Sequence, residues 1–225
     1  MEISNETQLK RAVLEDEALD LIVKNYGTFV MHGGTAIWRC YGGSRFSRDL
    51  DFYSNLNASE ESKFQKNIHK LLVENGYSIR EEKYNNKTQT LHIIFRGNDT
   101  TGKFDITFKN AKGHAVEYLR VDGAKKMINA LGPEALLDEK IETYLNKYER
   151  GTDEIHDLYD IIVLKDKIGK PTKDMTKKIR NLVEKIGKRP PKNEKDLASL
   201  ILNGIAPNFA DMINILQMWL DEIGG

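Results

Sequence analysis

The sequence predicts an α+β fold, a mixed sheet with flanking helices, followed by an α-helical C-terminal domain. Up to about residue 121, helical periodicities alternate with short β-rich runs; from Pro133 onward apolar residues recur only at helical spacing. The change divides the chain into domains of 1–125 and 126–225, with a soft boundary near residues 122–132. A chain of 225 residues, 40% of them hydrophobic, has the material for a substantial core in one large domain or two small ones.

The elements follow in order. Leu9, Val13, Leu14, Ala18, Leu21 and Ile22 have the spacing of an amphipathic helix from Glu6 to Asn25, which Gly27 ends. Thr28 to Met31 is a short β-like run. Gly33-Gly34 stop it, and Thr35 to Cys40 form a helical turn or two. Tyr41 to Arg48 carries too much Gly and Ser for a regular element and reads as a loop. Asp49, Leu50, Asp51 and Phe52 alternate acidic and apolar, the period of a half-buried strand. A helix from Ser59 to Asn75 opens with Ser59 and two glutamates and closes at Gly76. Strands at Tyr77 to Tyr84, Thr88 to Arg96 and Lys103 to Phe108 are joined by turns at Asn85-Asn86 and Gly97-Asn98-Asp99, and a further strand is expected at Ala115 to Val121. Pro133 suits the first turn of a helix running to Tyr148, and Asp153 to Ile168 gives another. Pro171 to Gly225 reads as three short helices broken near Pro190-Pro191 and Asn203-Gly204. Within the last stretch Leu197, Leu200, Ile201, Ile213, Leu216 and Leu220 have the spacing of a core or partner-helix face.

Composition removes several classes of function. No apolar run approaches the roughly 18 to 20 residues of a membrane helix, and Met1 to Glu6 lacks the basic and apolar character of a secretory leader. A soluble, cytoplasmic protein with no membrane partner is therefore expected. The single cysteine, Cys40, excludes an intrachain disulfide and an all-cysteine zinc site, and its neighbours Ile37, Trp38 and Tyr41 mark it as a packing residue. His32, His69, His92, His114 and His156 show no zinc-binding spacing. The chain balances 34 Lys+Arg against 34 Asp+Glu, yet residues 165–195 hold twelve basic and four acidic residues. The remainder is correspondingly acidic. That basic segment lacks aromatic residues, so an RNA contact there rests on charge rather than base stacking.

The acidic half contains the candidate chemistry, set against the plainer readings of Asp-x-Asp as a solvated sheet edge and of Gly-Gly as an ordinary tight turn. Asp49 and Asp51 are two apart on the predicted strand, so their side chains share one face at a spacing of about 7 Å. Two carboxylates on one face repel, and a divalent cation between them removes the cost. Asp105, in Gly102-Lys103-Phe104-Asp105-Ile106, can be brought beside the pair by a neighbouring strand. Three converging carboxylates make a hard-oxygen site for one or two Mg2+ ions, able to activate an attacking oxygen and hold a triphosphate. Gly33-Gly34 follow a strand and open a helix, where side-chain-free backbone can approach phosphate while helix N–H groups point at it. Ser47 stands two residues before Asp49, placed to donate its hydroxyl to a phosphate oxygen.

His32-Gly33-Gly34-Thr35-Ala36-Ile37, Tyr41-Gly42, Arg45, Ser47 and Asp49-Leu50-Asp51-Phe52 together resemble the first motif of the AbiEii/AbiGii nucleotidyltransferases, within the DNA polymerase beta-like superfamily. Lys103-Phe104-Asp105 resembles the second motif. Leu136 to Lys140 and His156-Asp157-Leu158-Tyr159-Asp160 are similar to the Lys-containing helix and the Arg-Asp-Leu-Tyr-Asp block. The resemblance covers about residues 28–165. His156 stands where the family usually has Arg, and Tyr144 and Lys147 replace its alanine- and arginine-rich pattern, which leaves the acceptor less defined than the fold.

The resemblance implies a nucleotidyltransferase domain with a polymerase beta-like sheet, a helical domain after it, and a catalytic cleft between the two. It implies transfer of an NMP from an NTP, such as ATP or CTP, to a hydroxyl acceptor, with Mg2+ or Mn2+ as cofactor. Asp49, Asp51 and Asp105 are then the metal ligands, and Asp105 also accepts the proton of the incoming hydroxyl. Gly33, Gly34 and Ser47 position the nucleotide phosphates, while Arg45 binds phosphate or steadies its loop. Lys140 reaches the triphosphate as a point charge. Asp157 and Asp160 are three apart on one helical face with Asp153; Asp157 in preference to Asp160 is the acid that orients Lys140 or the substrate, and Asp160 is counted with the nucleotide-binding residues. The implied acceptor is a tRNA 3′ end or a protein side chain, and the implied biology is that of a toxin paired with a cognate antitoxin or of phage defence. The alternative is a catalytically weak nucleotide- or RNA-binding module that retains the fold; intact Asp49, Asp51, Asp105 and Lys140 count against it.

Overall fold

The computed structural model of the chain describes residues 3–56, 58–186 and 189–224. It resolves into two compact units, one running through Cys40 together with Phe46–Leu131, the other comprising Tyr41–Arg45 and the chain from Gly132 onward.

The first unit is built on a mixed sheet, which among the described residues has seven strands in the order β3-β4-β5-β2-β1-β7-β6. These are β1 (Val30–His32), β2 (Leu50–Ser54), β3 (Ser78–Asn85), β4 (Thr90–Gly97), β5 (Thr100–Phe108), β6 (His114–Leu119) and β7 (Lys125–Ala130), with α1 (Glu6–Asn25), α2 (Gly33–Tyr41) and α3 (Ala58–Glu74) between them. The helix α1 begins where the Asn5 side chain accepts hydrogen bonds from the Thr7 and Gln8 N–H groups, at 3.0 and 3.1 Å. Between β4 and β5 the chain reverses through Asn98 and Asp99, both at positive φ, as the tightest hairpins require. The strand β2 runs antiparallel to β1 and parallel to β5. Leu14, Ala18 and Ile22 of α1 and Phe52, Phe95 and Phe104 of the sheet are all buried, and α1 packs on β5. Phe95 stacks on Phe104 with ring centroids 4.7 Å apart, which closes the sheet's apolar face.

The sequence pattern does not reveal β7. Two lysines open it and Met127 is exposed, which obscures the alternation carried by buried Ile128 and Ala130. It pairs antiparallel with β6 and parallel with β1. The expected domain division at residue 125 falls on its first residue, whereas the compact units divide between Leu131 and Gly132. The loop expected from Tyr41 starts one residue later, since Tyr41 closes α2, and the expected helix start at Ser59 moves to Ala58.

The second unit is helical: α4 (Pro133–Arg150), α5 (Ile155–Lys165), α6 (Lys173–Ile186), a 3-10 turn (Glu194–Asp196), α7 (Leu197–Leu200) and α8 (Phe209–Gly224). Pro133 occupies the first turn of α4, and Gly151 ends it in the left-handed conformation at φ 68°. Here α4 packs on α5 and α6, and α8 packs on α5 and α6, around Leu136, Ile141, Leu158, Ile161, Ile179 and Leu182. The buried stripe of α8 is Met212, Leu216 and Trp219, one position round from the expected Ile213, Leu216 and Leu220, because burying the Trp219 ring removes more apolar area from water. Arg45 bridges to Ile201, and the Leu202 N–H donates to the Ser44 carbonyl at 2.8 Å, which ties the Tyr41–Arg45 segment to this unit.

The basic segment spends part of its charge internally. Lys178 pairs with Asp138 and Glu142, Lys185 with Glu149 at 2.7 Å, and Arg189 with Asp153 at 2.8 Å. Lys188 lies outside the described residues. Among the described residues no helix is long and apolar enough to cross a membrane.

Candidate active site

Strand register assembles the acidic residues of the first unit. The strands β2 and β5 run parallel, with Asp51 directly opposite Asp105. Partners opposite each other in adjacent strands present side chains on one face. Asp49 departs from the expectation in one respect, since it stands just ahead of β2 instead of inside it. It is held from several directions: the buried Thr35 hydroxyl donates to its carbonyl at 2.5 Å, and Arg11 Nη2 lies 3.5 Å from its Oδ1. Arg11 also donates to the neighbouring Arg48 carbonyl through Nε and Nη2, at 3.0 and 2.7 Å.

Gly33 shows why a glycine is required beside these acids. It adopts φ +71° at the start of α2, and a Cβ there would fall 2.2 Å from Asp51 Oδ2. Any other side chain would displace that carboxylate. Gly34 lies inside α2 and is buried, as is Ser47, two residues ahead of Asp49. Asp105 receives Lys103 Nζ at 2.7 Å on Oδ2 and His92 Nδ1 at 2.8 Å on Oδ1. Burial opposes the charge on Lys103, but Asp105 and Asp49 overcome it and raise the ammonium's pKa. The donor chemistry of Asp49, Asp51 and Asp105 suits a hard divalent cation, but their oxygens do not all lie within 4.8 Å of one another, and Asp49 and Asp105 share the Lys103 ammonium.

The second unit holds a separate buried ion network. Arg45 Nε and Nη2 meet both oxygens of Asp160, at 2.8 and 2.6 Å. Lys140 Nζ lies 2.9 Å from Asp157 Oδ1 and 2.8 Å from Asp160 Oδ2. Lys147 reaches Asp157 Oδ2 at 2.7 Å and also pairs with Glu154. Burial disfavours the ionised Asp157, but Lys140, His156 and Lys147 prevail and hold its carboxyl well below the usual range. In Asp160 the same contest is won by Arg45 and Lys140. Lys140 is accordingly kept charged against its own burial. Both Asp157 and Asp160 therefore pair with Lys140. Asp153 is not on their helical face, since it precedes α5 and pairs with Arg189. Among the described residues it is Glu154, His156 and Asp157, and not the three acids of the first unit, whose ligand atoms all lie within 4.8 Å of one another, and Lys140 and Lys147 already supply the positive charge there. Cys40 is half-buried, and burial pushes its thiol up to about 12, so it is unsuited to nucleophilic work.

Arg11 and His92 have no motif to announce them. Arg11 meets Asp49 only because α1 packs on the sheet, and His92 meets Asp105 only through the β4–β5 register. Lys103 has a weak signal: it stands two residues before Asp105, on the same strand face.

The fold is that of known nucleotidyltransferase structures. MenT4, a nucleotidyltransferase toxin from Mycobacterium tuberculosis H37Rv, superposes with a TM-score of 0.63 at 14% identity, over 97% of this chain and 86% of that one. JHP933 from Helicobacter pylori gives 0.60 at 17% identity, over 97% and 92% of the two chains. A putative nucleotidyltransferase from H. pylori gives 0.57 at 17% identity, over 95% of each. No protein of curated function matches. The family model of the nucleotidyl transferase AbiEii toxin, of the type IV toxin–antitoxin system, matches residues 23–217, and the chain belongs to that family. The match extends well past residue 165, so it takes in most of the C-terminal helices that carried no resemblance in the sequence.

Proposed function

We propose that this protein moves a nucleoside monophosphate from an NTP, ATP or CTP, to a hydroxyl of a tRNA 3′ end or a protein side chain. The observation that supports this most is the parallel β2–β5 register that sets Asp51 opposite Asp105, with Asp49 at the mouth of the same strand. The acceptor oxygen bonds to the α-phosphorus, and the bond from that phosphorus to the oxygen leading to the β-phosphate breaks. Pyrophosphate leaves with the electron pair, and the hydroxyl proton passes to Asp105. Asp49, Asp51 and Asp105 would hold a Mg2+ or Mn2+ ion, which when bound would supply Lewis-acid polarisation of the phosphates. Gly33 and Gly34, at the N-terminus of α2, and the Ser47 hydroxyl bind phosphate oxygens. Within the second unit Asp157 and Asp160 keep Lys140 ionised, and Arg45 steadies Asp160. The protein acts in the cytoplasm as a toxin, and a cognate antitoxin restrains it.

Incubation with each labelled NTP, Mg2+ and either total tRNA or cell lysate is expected to label an acceptor, and Asp49→Ala is expected to abolish the label. Nucleotide binding with no labelled acceptor under any of these conditions would overturn the reading in favour of a binding module. Labelled protein without labelled RNA removes only the tRNA acceptor.

A further inference from the structure

Two of the three site carboxylates share a cation that belongs to the chain itself. Lys103 Nζ lies 2.7 Å from Asp105 Oδ2 and 3.4 Å from Asp49 Oδ2. Lys103 precedes Asp105 by two residues on β5, so the pleat places both on one face. The pairing of Leu50 with Phe104 brings Asp49, the preceding residue, alongside Lys103. The ammonium therefore sits between Asp49, just ahead of β2, and Asp105 on β5, two of the acids that would hold a metal ion.

We propose that Lys103 is an internal counter-ion that competes with the divalent metal for Asp49 and Asp105, so that metal binds weakly to the free protein and tightly together with the NTP. The inference rests on the nucleotidyl-transfer reading above. In the free protein Lys103 offsets the repulsion between the two acids and keeps them close. A metal entering alone has to displace an ammonium already paired at 2.7 Å. A metal entering with a triphosphate gives that ammonium new oxygens, and the flexible four-carbon stem of lysine lets it swing from carboxylate to phosphate. Lys103 is in this sense a positioning residue, coupling metal affinity to nucleotide binding.

The test is Mn2+ binding to the full chain, by calorimetry and by loss of the free-ion EPR signal, with and without a non-hydrolysable α,β-methylene NTP. Wild type is expected to bind Mn2+ weakly alone and on the order of tenfold more tightly with the analogue. Lys103→Met is expected to bind Mn2+ alone on the order of tenfold more tightly than wild type, because a unit positive charge within about 4 Å of the ligands has gone. The further tightening by the analogue is then smaller than in wild type, measured after subtracting the Mn2+ that the analogue chelates in a protein-free control. Lys103→Gln, the second variant should the first melt early, is expected to behave the same way, and Lys103→Arg should resemble wild type. Equal or weaker Mn2+ binding by folded Lys103→Met and Lys103→Gln overturns the proposal. Mn2+ binding that survives Asp105→Asn lies elsewhere and overturns both this proposal and the metal site it rests on. Tighter binding in Lys103→Met with no acceptor labelled by wild type supports the counter-ion and removes nucleotidyl transfer alone.

Discussion

Replacing Glu15 by Gln is expected to remove a pH dependence from the stability of the first unit. Glu15 lies on α1 with its side chain fully buried. Its Oε1 accepts from Arg11 Nε at 3.2 Å, and its Oε2 has no hydrogen-bond partner. Burial pushes the carboxyl from 4.5 up to about 8, against the pull of Arg11 and Arg39. In the unfolded chain the same group titrates near 4.5, so folding takes up a proton between about pH 4.5 and 8. Stability is then fully present below pH 4.5, falls by about 1.4 kcal/mol per pH unit through the window, and levels off above 8. Gln does not titrate, yet it keeps a side-chain acceptor for Arg11. Urea unfolding of both proteins at pH 5, 6, 7, 8 and 9 should show the stability difference moving steadily against wild type, by roughly a few kcal/mol in all, and then reaching a plateau. Asp16, whose pKa burial also raises, is present in both proteins and cancels in the difference. Parallel curves for the two proteins would refute the reasoning.

Two further substitutions test the two side-chain clusters. Lys140→Met leaves Asp157 and Asp160 buried without the ammonium they share, a loss of about 3–5 kcal/mol by urea unfolding, and Lys140→Arg should recover part of it. Unchanged stability in Lys140→Met would show that the network is not formed. Gly33→Ala should cost about 1–2 kcal/mol for a left-handed backbone and weaken Mn2+ binding, since its methyl group meets Asp51 Oδ2. Wild-type Mn2+ affinity in a folded Gly33→Ala protein would contradict the cradle.

The clearest sequence signals survived folding because they are local. The periodicity of Glu6 to Asn25 reappears as α1 with the same ends, and Pro133 opens α4 as its fixed φ allows. In the sequence Gly33 marks a tight turn at a helix start, but its closeness to Asp51 is not readable there, because that depends on where β2 passes the start of α2. The strand β7 escaped notice because its two lysines and exposed Met127 blur the alternation that buried Ile128 and Ala130 maintain. The excess charge of residues 165–195 was countable in the sequence. Its partial neutralisation by Asp138, Glu142 and Glu149 depends on α6 lying against α4.

The sequence alone singles out candidates for the chemistry: the acids at 49, 51 and 105, the paired glycines, Lys140 and the acids of α5. It also determined an α+β segment followed by helices, because these are matters of residue type and of spacing within about twenty residues. Tertiary structure decided which charges meet. The β2–β5 register set Asp51 against Asp105, and the packing of α1 brought Arg11 to Asp49. The side chains of α4 and α5 joined Lys140 to Asp157 and Asp160, with Arg45 completing the cluster. Electrostatic energy depends on distance and on the exclusion of water, and both are set only when distant segments pack.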